Sequence, residues 1–481
     1  MLQKTLTGIT AVFENLFFCG ILFGWASLLP MLIDEGFFSC TSSANQTNQT
    51  DASCENEQSE SLSLVFTLTS SIGQFSTILT GLLMDKLGGW KSRTIFINLS
   101  VACLVTVAVT TPATSYLFYF AFPVIHSIGF ALMISNIQVS NLFTKNRNLY
   151  VSISSGAFDS ASLAFLIMNK IYYSGVSLST TFAVYSVVYF LLNLRTFTLM
   201  PKDKIPFIIP EGFQYGYKEL LCIKKSNKED SLKMDEISVK SILSSDESNE
   251  SSESDGSKEV IIEDPSYFSY IKQLYFVSTI LSHSTTLLLS IFYISNFNYF
   301  ISTLTTDESL VDSYVYLFGA LQCCGILACP ISGWLSGLYK NKLVANGDDE
   351  RTAEVKSSSA VLLIGALCIV TMQACTLGDS LKLQVFAMTM QVLGKVFVLS
   401  GVNYFVSLYF PADLFGKLYG TMAAVSSVVL LLQQPLVILL NEVLDGDLFY
   451  LNAGLVAVSV FSLALPIAIR WKLRGGRKFS V

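Results

Sequence analysis

The sequence predicts an all-α membrane protein in which twelve transmembrane helices form two bundles of six. Three observations predict it. Apolar residues make up 52% of the 481, and only 14% are charged; a soluble chain of this length spreads more charge over its surface. The charge is also segregated, so that apolar runs long enough to cross a bilayer alternate with charged connections. Finally, one long acidic, serine-rich stretch from Pro201 to Tyr270 divides the runs into six and six.

Taken in order, the first six spans are expected at about 8–33, 62–84, 94–112, 116–142, 149–173 and 177–199. The second six are expected at about 273–300, 313–338, 358–376, 381–410, 416–440 and 448–470. The domains follow as an N-terminal bundle over 1–199, a loop over 200–272, a C-terminal bundle over 273–470 and a basic tail over 471–481. Lys4 precedes a first apolar run too long for a removable signal, which reads as a retained signal anchor. Pro123 and Pro435 fall inside spans 4 and 11, where a missing N–H permits a kink.

Lys and Arg set the orientation. The connections 34–61, 112–115, 301–312 and 441–447 carry neither residue. The opposite side carries Lys86, Lys91, Arg93, Lys145, Arg147, Lys340, Lys342, Arg351, Lys356 and Lys417, and the tail adds more. Both termini and the central loop are therefore expected in the cytoplasm. The long outer loop holds two glycosylation acceptors, Asn45 and Asn48, each followed by Gln-Thr. It also holds Cys40 and Cys54, a candidate disulfide in an oxidising space. In the central loop, Ser241 to Ser257 reads SILSSDESNESSESDGS. This composition suits a solvated linker and a kinase that recognises serines upstream of acids.

Between spans 2 and 3 the chain reads GLLMDKLGGWKSR, a tight basic turn that holds Gly81, Asp85, Lys86, Gly88, Lys91 and Arg93. This resembles the loop between helices two and three of the major facilitator superfamily, where the motif ties helix ends together and serves as a gating hinge. Gly333 to Lys342 occupies the corresponding place in the second half, with Gly337 where an acid would stand. The two halves thus share a weak parallel pattern.

Function must then come from polar groups inside apolar spans, because such groups are costly there and tend to face a cavity or a partner. The sequence has two histidines in different spans, no phosphate-binding loop and no clustered metal-ligand set. Neither an enzyme, a cofactor, nucleotide-driven transport nor a nucleic-acid partner is expected. Three charges lie deep: Glu14, Asp159 and Lys395. Glu14 is near the cytoplasmic end of its span and suits polar packing. Asp159 and Lys395 lie mid-span in opposite halves, and either a structural ion pair or contact with a small-molecule substrate accounts for them. The neutral candidates for the cavity are Asn136, Phe158, His283, Gln322 and Asn403, within a wider set of amides that includes Gln391 and Gln433. Amides suit the edges of heterocycles, and they also cross-link helices without any ligand.

Four longer stretches go further: Glu14 to Ser27 (ENLFFCGILFGWAS), Ser155 to Leu166 (SGAFDSASLAFL), Arg195 to Pro210 (RTFTLMPKDKIPFIIP), and Phe410 onward with FPADLFGKLYG and LLQQP. These are similar to solute carrier family 43, over nearly the whole chain except the central loop and the tips. The resemblance implies sodium-independent facilitated diffusion at the plasma membrane, by alternating access. The family has an equilibrative nucleobase branch and an L-type amino acid branch. Gly156-Ala-Phe-Asp159 and the Arg195-Thr-Phe stretch are similar to the former; Glu14-Asn15 and Gln433-Gln434-Pro435 look more like the latter. The reading leans to purine nucleobases. Large neutral amino acids are the alternative, a non-transporting receptor or scaffold is a second, and proton coupling through Asp159 or His283 is a third.

Overall fold

The computed structural model describes residues 2–39, 50–143, 147–202, 205, 213, 215, 216, 267–410 and 412–474. The expected glycosylation sites Asn45 and Asn48, the cysteine pair Cys40 and Cys54 and the serine-rich segment 241–257 lie outside the residues so described, counting side chains.

Ten helices are individually long and apolar enough to cross a membrane, and two bent pairs bring the total to twelve. Spans 2 to 6 are Glu57–Met84, Gly89–Val109, Pro112–Leu142, Tyr150–Tyr173 and Leu178–Leu199. Span 7 is Leu274–Ser295, and spans 9 to 12 are Glu350–Cys375, Leu381–Val406, Leu418–Val443 and Leu448–Leu473. Span 1 is bent by 52° between Gln3–Cys19 and Ile21–Asp34; span 8 is bent by 42° between Glu308–Cys323 and Gly325–Ala345. Apolar side chains such as Val109, Leu194, Val428 and Phe461 are exposed on the outside of the bundle, as a chain solvated by lipid requires. Glycine 88 starts span 3 with φ +76°, a left-handed turn that a side chain disfavours.

Lys86, Lys91, Lys340 and Arg351 mark one end of the molecule, here the basic end. Asp34, Glu60, Asp307 and Asp447 mark the other, the acidic end. Spans 2 and 11, and spans 5 and 8, make the principal contacts between the first six and last six helices. The two halves touch toward both ends. Toward the basic end a Cβ at Gly156 would stand 2.9 Å from Cys329 Cβ and 3.0 Å from Ile326 Cα, so spans 5 and 8 touch backbone to backbone. Toward the acidic end Asn441 Nδ2 donates to Glu60 at 3.0 Å and Asn298 Nδ2 donates to the Ala26 carbonyl at 3.2 Å.

Within the first half a buried ion cluster fixes the helices. Both oxygens of Glu14 accept from Arg93 Nη2, at 2.7 and 2.8 Å, and one also accepts from Arg195 Nη1. Asn136 donates to Glu14 at 3.1 Å and to Asn15 at 2.8 Å, and Asn15 donates to Ser154 Oγ at 2.7 Å. Spans 1, 3, 4, 5 and 6 all contribute. Arg93 reads in the sequence as one more loop cation, but it lies one turn inside span 3 and turns into the bundle, fully buried. With two arginines and the Asn136 amide donating to it, the carboxylate has the partners that offset its loss of water.

Candidate functional site

The centre of the molecule is built on three helix interruptions at one level. Span 1 breaks at Gly20, span 5 loosens at Ser160 and Ala161, and span 8 breaks at Cys324. Glycine lets the first break sit tightly: a Cβ at Gly20 would collide with the Phe158 carbonyl and stand 3.1 Å from Ala161 Cβ. On the other side of span 5, Ser160 Oγ accepts from the Ile326 N–H at 2.7 Å. That bond satisfies one of the free amides that open the helix Gly325–Ala345. The break in span 5 is thus held between the breaks of spans 1 and 8.

Asp159 and Lys395 meet here. Lys395 Nζ is 3.5 Å from Asp159 Oδ1, and both side chains are at least nine-tenths buried. Asp159 Cβ also lies 3.6 Å from where a Cβ on Gly325 would be, next to the start of the following helix, where the helix dipole favours an anion. The ion pair is long compared with a charge-assisted hydrogen bond of about 2.8 Å, and Nζ donates no hydrogen bond to a described residue. Nζ also lies 3.8 Å from the centre of the Phe23 ring, over an aromatic face. Phe23 in turn packs edge-on against Phe158 at 5.5 Å, and Phe158 against Phe130 at 5.1 Å. A loosely held anion and cation, walled by ring faces, can accept from an N–H, donate to a ring nitrogen and stack a flat molecule.

The other candidates from the sequence are divided by the structure. Gln322 is buried on span 8 and donates to Gln391 of span 10, one turn from Lys395, at 2.8 Å. Asn403 is half-buried on span 10, two turns from Lys395 toward the basic end, and its Oδ1 has no partner among the described residues. His283 bonds through Nδ1 to Ser426 Oγ of span 11 at 2.8 Å. Asn136 is held in the Glu14 cluster by the bonds described above. Of the basic motif, Lys86 and Lys91 are exposed, a Cβ at Gly81 would meet nothing within 4 Å, and the Asp85 side chain lies outside the described residues. Phe23 gave no signal in the sequence, being one of 35 phenylalanines without a distinguishing neighbour. Gln391 stood in the wider amide set; its i, i+4 spacing to Lys395 was the clue to its place.

The sequence is 30% identical to bovine (Bos taurus) equilibrative nucleobase transporter 1 over 476 residues, covering 97% of this chain and 96% of that one. The chain belongs to solute carrier family 43. It is also 26% identical to large neutral amino acids transporter small subunit 3 of the mouse (Mus musculus), over 95% of this chain and 91% of the relative. The human (Homo sapiens) protein of that name is 25% identical over the same shares. No family model matches the sequence. Among solved structures, the crystal structure of peptide transporter POT superposes with a TM-score of 0.57 at 12% identity, covering 96% of this chain and 95% of that one. That likeness concerns the fold alone, the twelve-helix major facilitator arrangement. The chain is therefore an integral membrane transporter of solute carrier family 43, and its broken central spans are the place where such a fold has freed backbone next to buried charge.

Proposed function

We propose that this solute carrier family 43 member is a sodium-independent uniporter of purine nucleobases at the plasma membrane, with both termini in the cytoplasm. The bundles over 1–199 and 273–470 rock about the central site, and the pair Asp159–Lys395 is its polar core. The observation that carries this reading is the long 3.5 Å separation of these two charges beneath the Phe23 ring. A neutral base donates a ring N–H to Asp159, accepts from Lys395 and lays its face on Phe158 or Phe23. It offers bonds that the two charges, 3.5 Å apart, make poorly with each other, so entry is favourable without binding so tight that release fails. Phe158, Gln322 and Asn403 are further contacts in this proposal, Asn136 and His283 support the helices behind them, and the motif from Gly81 to Arg93 acts as the hinge of the basic end. The higher identity to the bovine nucleobase transporter, 30% against 26% for the mouse amino acid transporter, supports the same branch.

A second reading is favoured by the same pair of charges. A zwitterionic amino acid offers a cation to Asp159 and an anion to Lys395, which the likeness to the amino acid branch supports. Uptake of radiolabelled adenine and leucine in one cell line, with sodium present and replaced, decides between them. Saturable adenine uptake that ignores sodium is expected; leucine uptake without adenine uptake overturns the proposal. Glycosylation at Asn45 or Asn48, a disulfide between Cys40 and Cys54, and phosphorylation within 241–257 belong to the same proposal.

A further inference from the structure

Gln322 and Gln391 form a buried amide pair one helical turn from Lys395 toward the acidic end. Gln391 precedes Lys395 by four residues on span 10, which places both on one face. Gln322 follows Gly319 by three, and Gly319 faces Ser27 and Leu166 of the first half. Gln322 therefore lies on the side of span 8 turned toward that half, two residues before the break at Cys324. Its Nε2 donates to Gln391 Oε1 at 2.8 Å. The relative exposures are 1% for Gln322 and 0% for Gln391. Even so, Gln322 Oε1 and Gln391 Nε2 have no partner among the described residues. A simple cross-link between helices needs only the inner bond. An acceptor and a donor left unused on one bonded pair in an apolar interior call for a further partner.

We propose that the Gln322–Gln391 pair reads the substituted edge of a planar nitrogen heterocycle, namely the 6-amino or 6-oxo edge of a purine. This rests on the nucleobase reading above and assigns the specificity-determining contact within it. The free Oε1 and Nε2 match the amino donor and the neighbouring ring-nitrogen acceptor of a 6-aminopurine. If both amides rotate by half a turn, the inner bond reverses, and the free donor moves to Gln322 and the free acceptor to Gln391. That second state matches the carbonyl and ring N–H of a 6-oxopurine. The inner bond exists in both states, so one site takes both edges without losing a hydrogen bond. An aliphatic amino acid side chain presents no such edge.

The test is competition against radiolabelled adenine in cells expressing the full chain, using hypoxanthine, unsubstituted purine and 6-methylpurine as inhibitors. Hypoxanthine is expected to match adenine, while purine and 6-methylpurine, which lack the 6-position donor or acceptor, fall at least about tenfold weaker. In Gln322→Met/Gln391→Met that advantage shrinks toward equality, while inhibition by 6-methylpurine itself persists. If the double variant does not reach the surface, each single substitution is expected to show part of the same loss, and the wild-type inhibitor series stands without any variant. Equal potency of adenine and 6-methylpurine in the wild type, or an unchanged ratio in the methionine variants, overturns the assignment while leaving nucleobase transport intact. Wild-type protein that carries leucine and no adenine overturns both.

Discussion

Lys395 reaches across from the second half of the molecule to Asp159 in the first, with Nζ 3.5 Å from Oδ1 and 3.8 Å from the centre of the Phe23 ring. The two charges are spent on each other only weakly. Asp159→Asn and Lys395→Met are each expected to lower uptake about tenfold or more, because each leaves a buried charge alone, an effect of about 3–5 kcal/mol when such a pair is broken. The double variant is expected to reach the cell surface better than either single one. Uptake normalised to surface biotinylation measures both effects, and full uptake by the single variants removes the pair from the site.

Phe23→Leu keeps most of the volume beneath Lys395 and removes the ring face. A contact worth about 0.5–2 kcal/mol disappears, so uptake should fall several-fold, whereas Phe23→Tyr should retain it. Leucine performing as well as phenylalanine would assign Phe23 to packing alone.

Glu14→Ala strands Arg93 and Arg195 in the interior of the first bundle. Loss of about 3–5 kcal/mol is expected, seen as retention inside the cell and a lower melting temperature of the detergent-solubilised protein. Glu14→Gln, which can still accept from one arginine, should be milder. Normal surface levels of the alanine variant would contradict the structural role of this cluster.

Gly156→Leu places a side chain where spans 5 and 8 touch, against Cys329 and the Ile326 backbone. It should hold the basic end apart. Cys329, now 1% exposed, should then react with a maleimide added from that side, in a background whose other cysteines are replaced. Unchanged protection would show that the contact tolerates the added volume.

The membrane spans were legible because hydropathy and run length do not depend on tertiary context. Asp159 and Lys395 were legible for a related reason: a charge inside an apolar run needs an explanation, and these two lie at matching depths. The breaks were not. Gly20 is flanked by residues that read as one continuous helix, and Gly325 is only a weak local mark of an end at Cys324; both breaks are set by what packs against them, Phe158 and Ala161 in one case and Ser160 in the other. Arg93 illustrates the same limit. Counting it as a loop cation followed from its position in the chain, whereas its burial follows from a carboxylate 79 residues away. The kink expected from Pro435 corresponds to a helix break at Leu431 and Leu432: the proline has no N–H for the Leu431 carbonyl, which accepts from the Gln434 N–H at 3.3 Å instead.

The three interruptions at Gly20, Ser160 and Cys324 also bear on how the molecule moves. A rod jointed at its midpoint can swing one arm while the other stays seated. With spans 1, 5 and 8 all jointed at the same depth, the outer and inner storeys are able to articulate separately about the bound molecule. Opening one door then need not drag the whole length of each helix, and the floor on which the cargo rests stays nearly still while the wall on one side of it folds away.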